Sequence, residues 1–220
     1  MSNSRWADAR RLEAWAGETR VNLIRAAALI GFYGYHLVNV YFIDPSLSGA
    51  YNLKVTSIVL AWTLAVGALY ICLSRRWVPP ALKYVATFWD LALITALLLA
   101  DKKAGPHSPL IFLYFLVVAA SPLRLSVRLV YASTLGAMAA AVVMMGLYVF
   151  GLVGLTDYYG AGDPWIVPRT IPPWMASRPS EIIFLLSLGA AGLLAGQVVR
   201  QARRLVQGYP VTVEDKKEAA

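Results

Sequence analysis

Cysteine, histidine and charged residues are scarce in this 220-residue sequence. The single cysteine, Cys72, excludes an internal disulfide and a cysteine-rich metal cluster. The two histidines, His36 and His107, occur in no spacing typical of a metal or haem site. The sequence also contains no nucleophile elbow, no phosphate-binding loop and no metal-binding carboxylate cluster. We therefore expect no metal ion, no cofactor and no enzymatic activity.

Charged residues make up only 15% of the chain, whereas apolar residues make up 59%. This balance is outside the range of soluble globular domains. The apolar residues form six runs, each near or approaching the roughly 20 residues that a helix needs to cross a bilayer. The runs cover 22–43, 53–73, 82–100, 109–123, 128–153 and 181–207, the last extending into the cytoplasm. The pattern predicts an all-α membrane protein that folds as a six-transmembrane-helix bundle.

Basic residues are concentrated at alternate ends of the six runs. Of the twenty lysines and arginines, fifteen lie in the segments 5–25, 75–83, 124–128 and 200–217. Because loops rich in Lys and Arg stay in the cytoplasm, both termini are predicted to be cytoplasmic, in a multi-pass protein of the inner (plasma) membrane. The net charge of +8 then indicates contact with anionic lipid headgroups of the bilayer and not with nucleic acid.

The two ends of the chain have a different character from its centre. Residues 1–21 combine tryptophans, arginines and helix formers, which is typical of an amphipathic helix lying at the cytoplasmic interface. A solvated helical lead-in to the first span is the alternative. At the other end, Gly208 and Pro210 predict where the last helix stops, so that 208–220 form a disordered tail.

Two segments between these ends stand out. The run 109–123 is only 15 residues long, about 22 Å of helix, which favours a short span and leaves a re-entrant segment as the alternative. The segment 154–180 is rich in proline and aromatic residues, and we expect it to lie over the outer face of the bundle.

Ionisable side chains within a membrane span are the default candidates for function. His36 lies in the first run, with Asn39 on the same helical face, and Asp90 lies in the third. An uncompensated carboxylate there costs about 3 kcal/mol or more, so Asp90 must be paired, protonated or hydrated. A buried pair that fixes helix packing and a sensing or proton-relay role both fit Asp90, and a hydrogen bond between helices fits His36. The candidate charge partners are Arg25, Lys83, Arg124 and Arg128.

Small residues recur at four-residue spacing on the last two runs. Gly192 and Gly196 form a GxxxG motif, and Gly136 lies in a similar stripe on the fifth run. Such stripes allow two helix backbones to approach closely. The spacing favours contact within one chain, although contact between subunits also fits it.

Three strings in the centre of the chain resemble a known sensory module. They are WDLALIT at 89–95, GPHSPL at 105–110 and LYFL at 113–116. Together they resemble the six-span N-terminal input module of pilus-regulating bacterial sensor histidine kinases, over about residues 85–150. The resemblance implies a six-span sensory domain of a bacterial inner membrane. Because the kinase core has no counterpart in these residues, it implies an orphan module that acts through a partner.

The resulting expectation is a non-enzymatic protein that reads a signal near its outer face, at 154–180 and around His36. The signal would pass through Gln197–Val206 to a partner, which is either a second copy of the chain or another membrane or cytoplasmic protein. Two alternatives stay open. One is a structural or assembly subunit of a membrane complex, and the other is a small transporter with a path between Asp90 and His36.

Overall fold

In the computed structural model, residues 2–43, 49–77, 79–100, 108–149 and 179–218 are described, and all regular structure within them is helical. The helices are α1 (Ser2–Val38), continued by a π-helical turn (Asn39–Ile43), α2 (Gly49–Ser74), α3 (Leu82–Ala100), α4 (Leu113–Ala120), α5 (Val127–Val149) and α6 (Pro179–Glu218). Two 3₁₀ turns, Pro109–Phe112 and Ser121–Arg124, flank α4. The end of the fifth predicted run and nearly all of the segment 154–180 lie outside the described residues.

The described residues contain five helices that are long and apolar enough to cross a membrane. They are Trp15–Phe42, Tyr51–Ser74, Leu82–Ala100, Val127–Leu147 and Ser180–Leu205. The fourth predicted run corresponds to a shorter apolar segment, Pro109–Arg124. The all-α fold is therefore confirmed for the described residues, and five helices suited to spanning are consistent with a multi-pass membrane protein.

The short segment runs antiparallel to α3 along most of its length. Near its start, the Tyr114 hydroxyl lies 2.8 Å from that of Thr95, close to the end of α3. At its last residue, the Arg124 Nη1 group donates to the carbonyl of Lys83, at the start of α3, over 3.2 Å. The segment thus begins near one end of the bundle and ends at the other.

α1 is a single helix from Ser2 to Val38, and no break separates the amphipathic segment predicted over 1–21 from the first span. The Trp15 indole nitrogen donates to the carbonyl of Leu73 over 2.9 Å, which ties this part of α1 to the end of α2. Gly17 lies against the backbone of the 121–124 turn, where a Cβ atom would meet the Leu123 carbonyl at 2.9 Å. Because the helix already packs on the bundle before residue 21, nothing separates it from the first span.

The last helix continues past Gly208, where it was predicted to end. α6 continues through Gly208 and Pro210 to Glu218, where a disordered tail was expected. The segment 214–220 (EDKKEAA) is rich in Glu, Lys and Ala, which have high helix propensity. A proline within a helix removes one backbone hydrogen bond, and the good helix formers beyond it favour resumption of the helix.

The core is formed by α3, α4, α5 and α6. Its fully buried members include Ile94, Leu98, Tyr114, Met144 and Leu188. A second, smaller cluster of Val55, Val59 and Leu97 joins α2 to α3, with Leu29 and Phe32 of α1 packed against it. α1 is therefore held mainly by α2 and by the turn that follows α4.

The three glycines of the small-residue stripes all pack inside this chain. A Cβ atom on Gly192 would overlap the Thr134 side chain of α5, and one on Gly196 would lie 2.9 Å from the Tyr131 hydroxyl oxygen. One on Gly136 would lie 2.9 Å from the Phe88 ring of α3. The stripes thus serve α3–α5 and α5–α6 contacts, the intramolecular alternative.

Candidate functional site

Asp90 is paired inside the bundle. The Nε group of Arg25 on α1 donates to Asp90 Oδ2 over 2.6 Å, and Nη2 lies 2.6 Å from the same oxygen. The indole nitrogen of Trp62 on α2 donates to Asp90 Oδ1 over 3.1 Å. The side chains of Arg25 and Asp90 are 7% and 9% exposed. Both oxygens of the carboxylate are therefore satisfied, which removes most of the cost of placing it within a span.

A second ion pair lies at the end of the short segment. Arg124 Nη2 is 2.9 Å from Glu18 Oε2, and the two side chains are 4% and 5% exposed. Arg124 Nη1 also donates to the Thr87 hydroxyl and to the Lys83 carbonyl. The Lys83 ammonium donates to the Ser126 hydroxyl over 3.4 Å. We call Glu18, Arg25, Lys83, Asp90 and Arg124 the charge cluster.

The sequence identified four members of the charge cluster but missed Glu18. Of the predicted partners of Asp90, Arg25 pairs with it directly, whereas Arg124 pairs with Glu18 and Arg128 is exposed. A signal for Glu18 was available, because it shares one helical face with Asn22 and Arg25 at a spacing of four and seven residues. All three are buried, and Asn22 donates to the Val66 carbonyl over 3.4 Å.

A pocket borders the charge cluster, enclosed by α1, α3 and the short segment with Trp62 of α2. It contains about 600 Å³ of space unoccupied by atoms, including its open mouth. Arg25, Asp90 and Arg124 supply its charged side chains. Apolar residues make up most of the remaining wall, among them Ile24, Ala28, Leu29, Phe32, Leu113, Leu116 and Val117. A concave surface with an apolar wall and a few convergent polar groups is the usual form of a small-molecule site.

His36 belongs to a different place in the bundle. Its Nε2 atom lies 3.1 Å from Asn52 Oδ1 on α2, and its ring stacks on those of Phe32 and Tyr33. His36 does not line the pocket, although its neighbour Phe32 does. Asn39 is half-buried at the start of the π-helical turn. The described residues thus give His36 the hydrogen bond between helices that the sequence predicted.

The turn after α4 connects the charge cluster to α6. Leu125 follows Arg124 directly and adopts a left-handed conformation, with φ of 47°. Its carbonyl accepts hydrogen bonds from Nε of Arg203, over 2.8 Å, and from Nη2 of the same residue. One turn of helix earlier, Arg200 donates to the Tyr131 hydroxyl of α5 over 2.6 Å. Arg203 near the end of the last span therefore contacts the turn that carries Arg124, while Arg200 contacts α5.

In the described part of the chain, no three His, Cys, Asp or Glu side chains converge as they would around a metal ion. What the pocket offers is hydrogen-bond donors, charge and an apolar wall. No protein-family model, curated protein or solved structure matches this chain.

Proposed function

We propose that this chain is a non-enzymatic sensory protein of a bacterial inner membrane, which binds a ligand in the pocket beside the charge cluster and acts on a partner through α6. The contact between Arg203 and the Leu125 carbonyl carries this proposal. Because Arg124 and Leu125 are adjacent in the chain, a ligand that moves the Arg124 side chain also pulls on the carbonyl that holds α6.

We further propose six membrane crossings, with both termini in the cytoplasm. The antiparallel course of Pro109–Arg124 beside α3 supports a full crossing by this short segment. One end of the bundle gathers the start of α1, the end of α2, the start of α3 and the 121–125 turn, and it carries most of the basic residues. The positive-inside rule assigns that end to the cytoplasm.

The output of this sensor is a displacement of α6 relative to the rest of the bundle. α6 runs beyond its apolar span, which ends at Leu205, as far as Glu218. The segment Gln197–Val206 is the proposed contact with a partner, either a second copy of the chain or another protein. A ligand shifts such an equilibrium only by its different affinity for the two positions of the helix.

Distance measurements between spin labels test the coupling. Labels on Arg75→Cys and Leu205→Cys, in a Cys72→Ala background, report the position of α6 relative to α2 in nanodiscs. Replacing the ion pair by the neutral pair Arg25→Gln with Asp90→Asn is expected to shift the distance distribution. Adding Arg203→Gln is expected to abolish that shift because the tie to Leu125 is lost, whereas Arg204→Gln, which removes the neighbouring exposed charge, leaves it intact.

A distance distribution that is the same with and without the Arg25–Asp90 pair would overturn the coupling. The partner is tested separately by affinity purification of the tagged chain from native membranes in mild detergent. Proteins that co-purify with the natural chain are expected to be lost when Gln197–Val206 is replaced by a flexible linker. Partners that survive this replacement would contradict the role given to α6.

A further inference from the structure

Two buried guanidinium groups in the pocket have hydrogen-bond donors without an acceptor. Among the described residues, neither Nη1 of Arg25 nor Nε of Arg124 has a hydrogen-bond partner, and both atoms are buried. Both residues line the pocket, and their side chains are more than nine-tenths buried. Arginine stays protonated in proteins, so these donors cannot be removed by loss of a proton. A buried charged donor without a partner is costly, which indicates that an oxygen acceptor belongs in the pocket.

The charges around the pocket favour an anion. Arg25, Lys83 and Arg124 are opposed by only two carboxylates, Glu18 and Asp90, which leaves one positive charge in excess. The charges of the cluster act on one another, since Arg124 interacts electrostatically with Arg25, Asp90 and Glu18. Lys83 interacts with Glu18 and Arg124, and also with the exposed Arg203 outside the cluster. A single negative charge therefore balances the cluster.

The walls of the pocket favour a hydrocarbon chain. Most of its apolar lining on α1 and on the short segment is half-buried, although Val21 is buried, and Leu116 is exposed. The pocket therefore reaches the surface between these two helices, within the apolar part of each. A ligand whose charged end lies at Arg25 and Arg124 can extend its chain along Leu29, Leu113 and Leu116 into the bilayer.

We propose that the pocket binds a long-chain carboxylate, a single-chain amphiphile such as a free fatty acid. Its carboxylate has two acceptor oxygens for the two unsatisfied arginine donors and carries the one negative charge that the cluster lacks. This inference rests on the proposed function, because it names the class of ligand for the same pocket. The carboxylates of Asp90 and Glu18 disfavour a ligand with more than one negative charge, because both would repel such a headgroup.

Electron paramagnetic resonance of spin-labelled lipids tests this proposal on the full chain in nanodiscs of neutral phosphatidylcholine. The probes are stearic acid with a nitroxide near the end of the chain, its methyl ester, and phosphatidylcholine and phosphatidylglycerol with the same labelled chain. Stearic acid is expected to show an immobilised component that saturates at one molecule per protein. Its methyl ester and both phospholipids are expected to show only the weaker immobilisation of lipids that surround a helix bundle.

Paired variants locate the site. Arg124→Gln with Glu18→Gln leaves the net charge unchanged and keeps groups that hydrogen-bond to each other, but removes the charged donor. We expect binding of stearic acid to weaken about 10- to 100-fold, as for the loss of a hydrogen bond to a charged group. The matched control Arg128→Gln, which removes an exposed positive charge four residues away, is expected to leave binding unchanged.

Three results would overturn the proposal. Equal immobilisation of the acid and its methyl ester would show that charge plays no part, and this comparison needs no variant. Equal binding by the Arg124→Gln, Glu18→Gln chain would place the site elsewhere. Stronger immobilisation of phosphatidylglycerol would assign the pocket to a two-chain phospholipid.

The same samples separate this inference from the proposed function. If stearic acid binds but the label distance between α2 and α6 does not change, the sensory function fails while the ligand assignment stands. If stearic acid does not bind but the Arg25→Gln, Asp90→Asn pair still shifts α6, the ligand assignment fails while the sensory function stands.

Discussion

The guanidinium of Arg25 on α1 and the carboxylate of Asp90 on α3 lie 2.6 Å apart, and both side chains are more than nine-tenths buried. They are 65 residues apart in the sequence. Trp62 completes the arrangement from α2, so that one carboxylate joins three helices. The same pair lines the pocket.

Removing Asp90 alone is expected to destabilise the protein strongly. Asp90→Ala leaves the Arg25 guanidinium buried without its counterion, and we expect the free energy of unfolding to fall by about 3–5 kcal/mol. Unfolding by sodium dodecyl sulfate in mixed micelles measures this change. The double variant Arg25→Gln with Asp90→Asn removes both charges and is expected to recover most of the loss. If Asp90→Ala lowered the free energy of unfolding no more than Arg128→Gln at an exposed site, the Arg25–Asp90 pair would not stabilise the fold.

Close packing of α5 against α6 makes Gly192 sensitive to a single methyl group. Its added Cβ atom would overlap Thr134, whereas one on Gly189, a turn away, would lie 3.7 Å from the nearest atom, of Met138. We expect Gly192→Ala to lower the free energy of unfolding by about 1–3 kcal/mol. Gly189→Ala, the matched control, is expected to be neutral or stabilising by up to about 1 kcal/mol.

The origin of this effect is tested by trimming the other side of the contact. Adding Thr134→Ala to Gly192→Ala removes two of the atoms that the new methyl group meets. The two substitutions are therefore expected to be coupled by about 0.5 kcal/mol or more. Strict additivity would indicate that the loss at Gly192 arises elsewhere.

The parts of this fold that follow from the sequence are those governed by the bilayer. The runs of apolar residues were predicted to form helices, because a helix satisfies its own backbone hydrogen bonds inside a bilayer. Asp90 had to find a partner for the same reason, and Arg25 was among those predicted. The glycine stripe at Gly192 and Gly196 likewise indicated a close helix contact, since small residues are what such contacts require.

The parts that did not follow depend on tertiary contacts that composition does not encode. Glu18 shares a helical face with Asn22 and Arg25, but its pairing with Arg124 depends on a contact between α1 and a distant turn. The close approach of Gly17 on α1 to the Leu123 carbonyl is likewise a tertiary contact. The pocket lies between α1 and the short segment, and no local sequence pattern predicts the distance between these two helices.

His36 is expected to act in packing and not in signalling. Replacing it with Phe keeps an aromatic ring beside Phe32 and Tyr33 but removes the closer of two partners of Asn52 Oδ1, the other being the Thr56 hydroxyl at 3.5 Å. We expect a cost of about 1 kcal/mol in the free energy of unfolding. Adding Asn52→Leu removes the polar group left behind and is expected to restore stability. Because His36 does not line the pocket, His36→Gln is expected to leave the label distance between α2 and α6 unchanged. A shift as large as that caused by the Arg25→Gln, Asp90→Asn variant would show that His36 takes part in signalling.

The run 109–123 either crosses the membrane, giving six crossings, or re-enters it, giving five. These two topologies place the residues after this run on opposite sides of the membrane. In a Cys72→Ala background, single cysteines at Lys54, Lys102, Arg128 and Lys216 are labelled in intact cells with a membrane-impermeant maleimide. With six crossings and a cytoplasmic N-terminus, Lys54→Cys and Lys102→Cys are labelled from outside, while Arg128→Cys and Lys216→Cys react only after the cells are opened. With a re-entrant segment, the path reverses after Arg124, so Arg128→Cys and Lys216→Cys would be labelled in intact cells. The antiparallel course of the short segment beside α3 favours the first outcome, because a re-entrant segment would have to return to the end of α3 where it began.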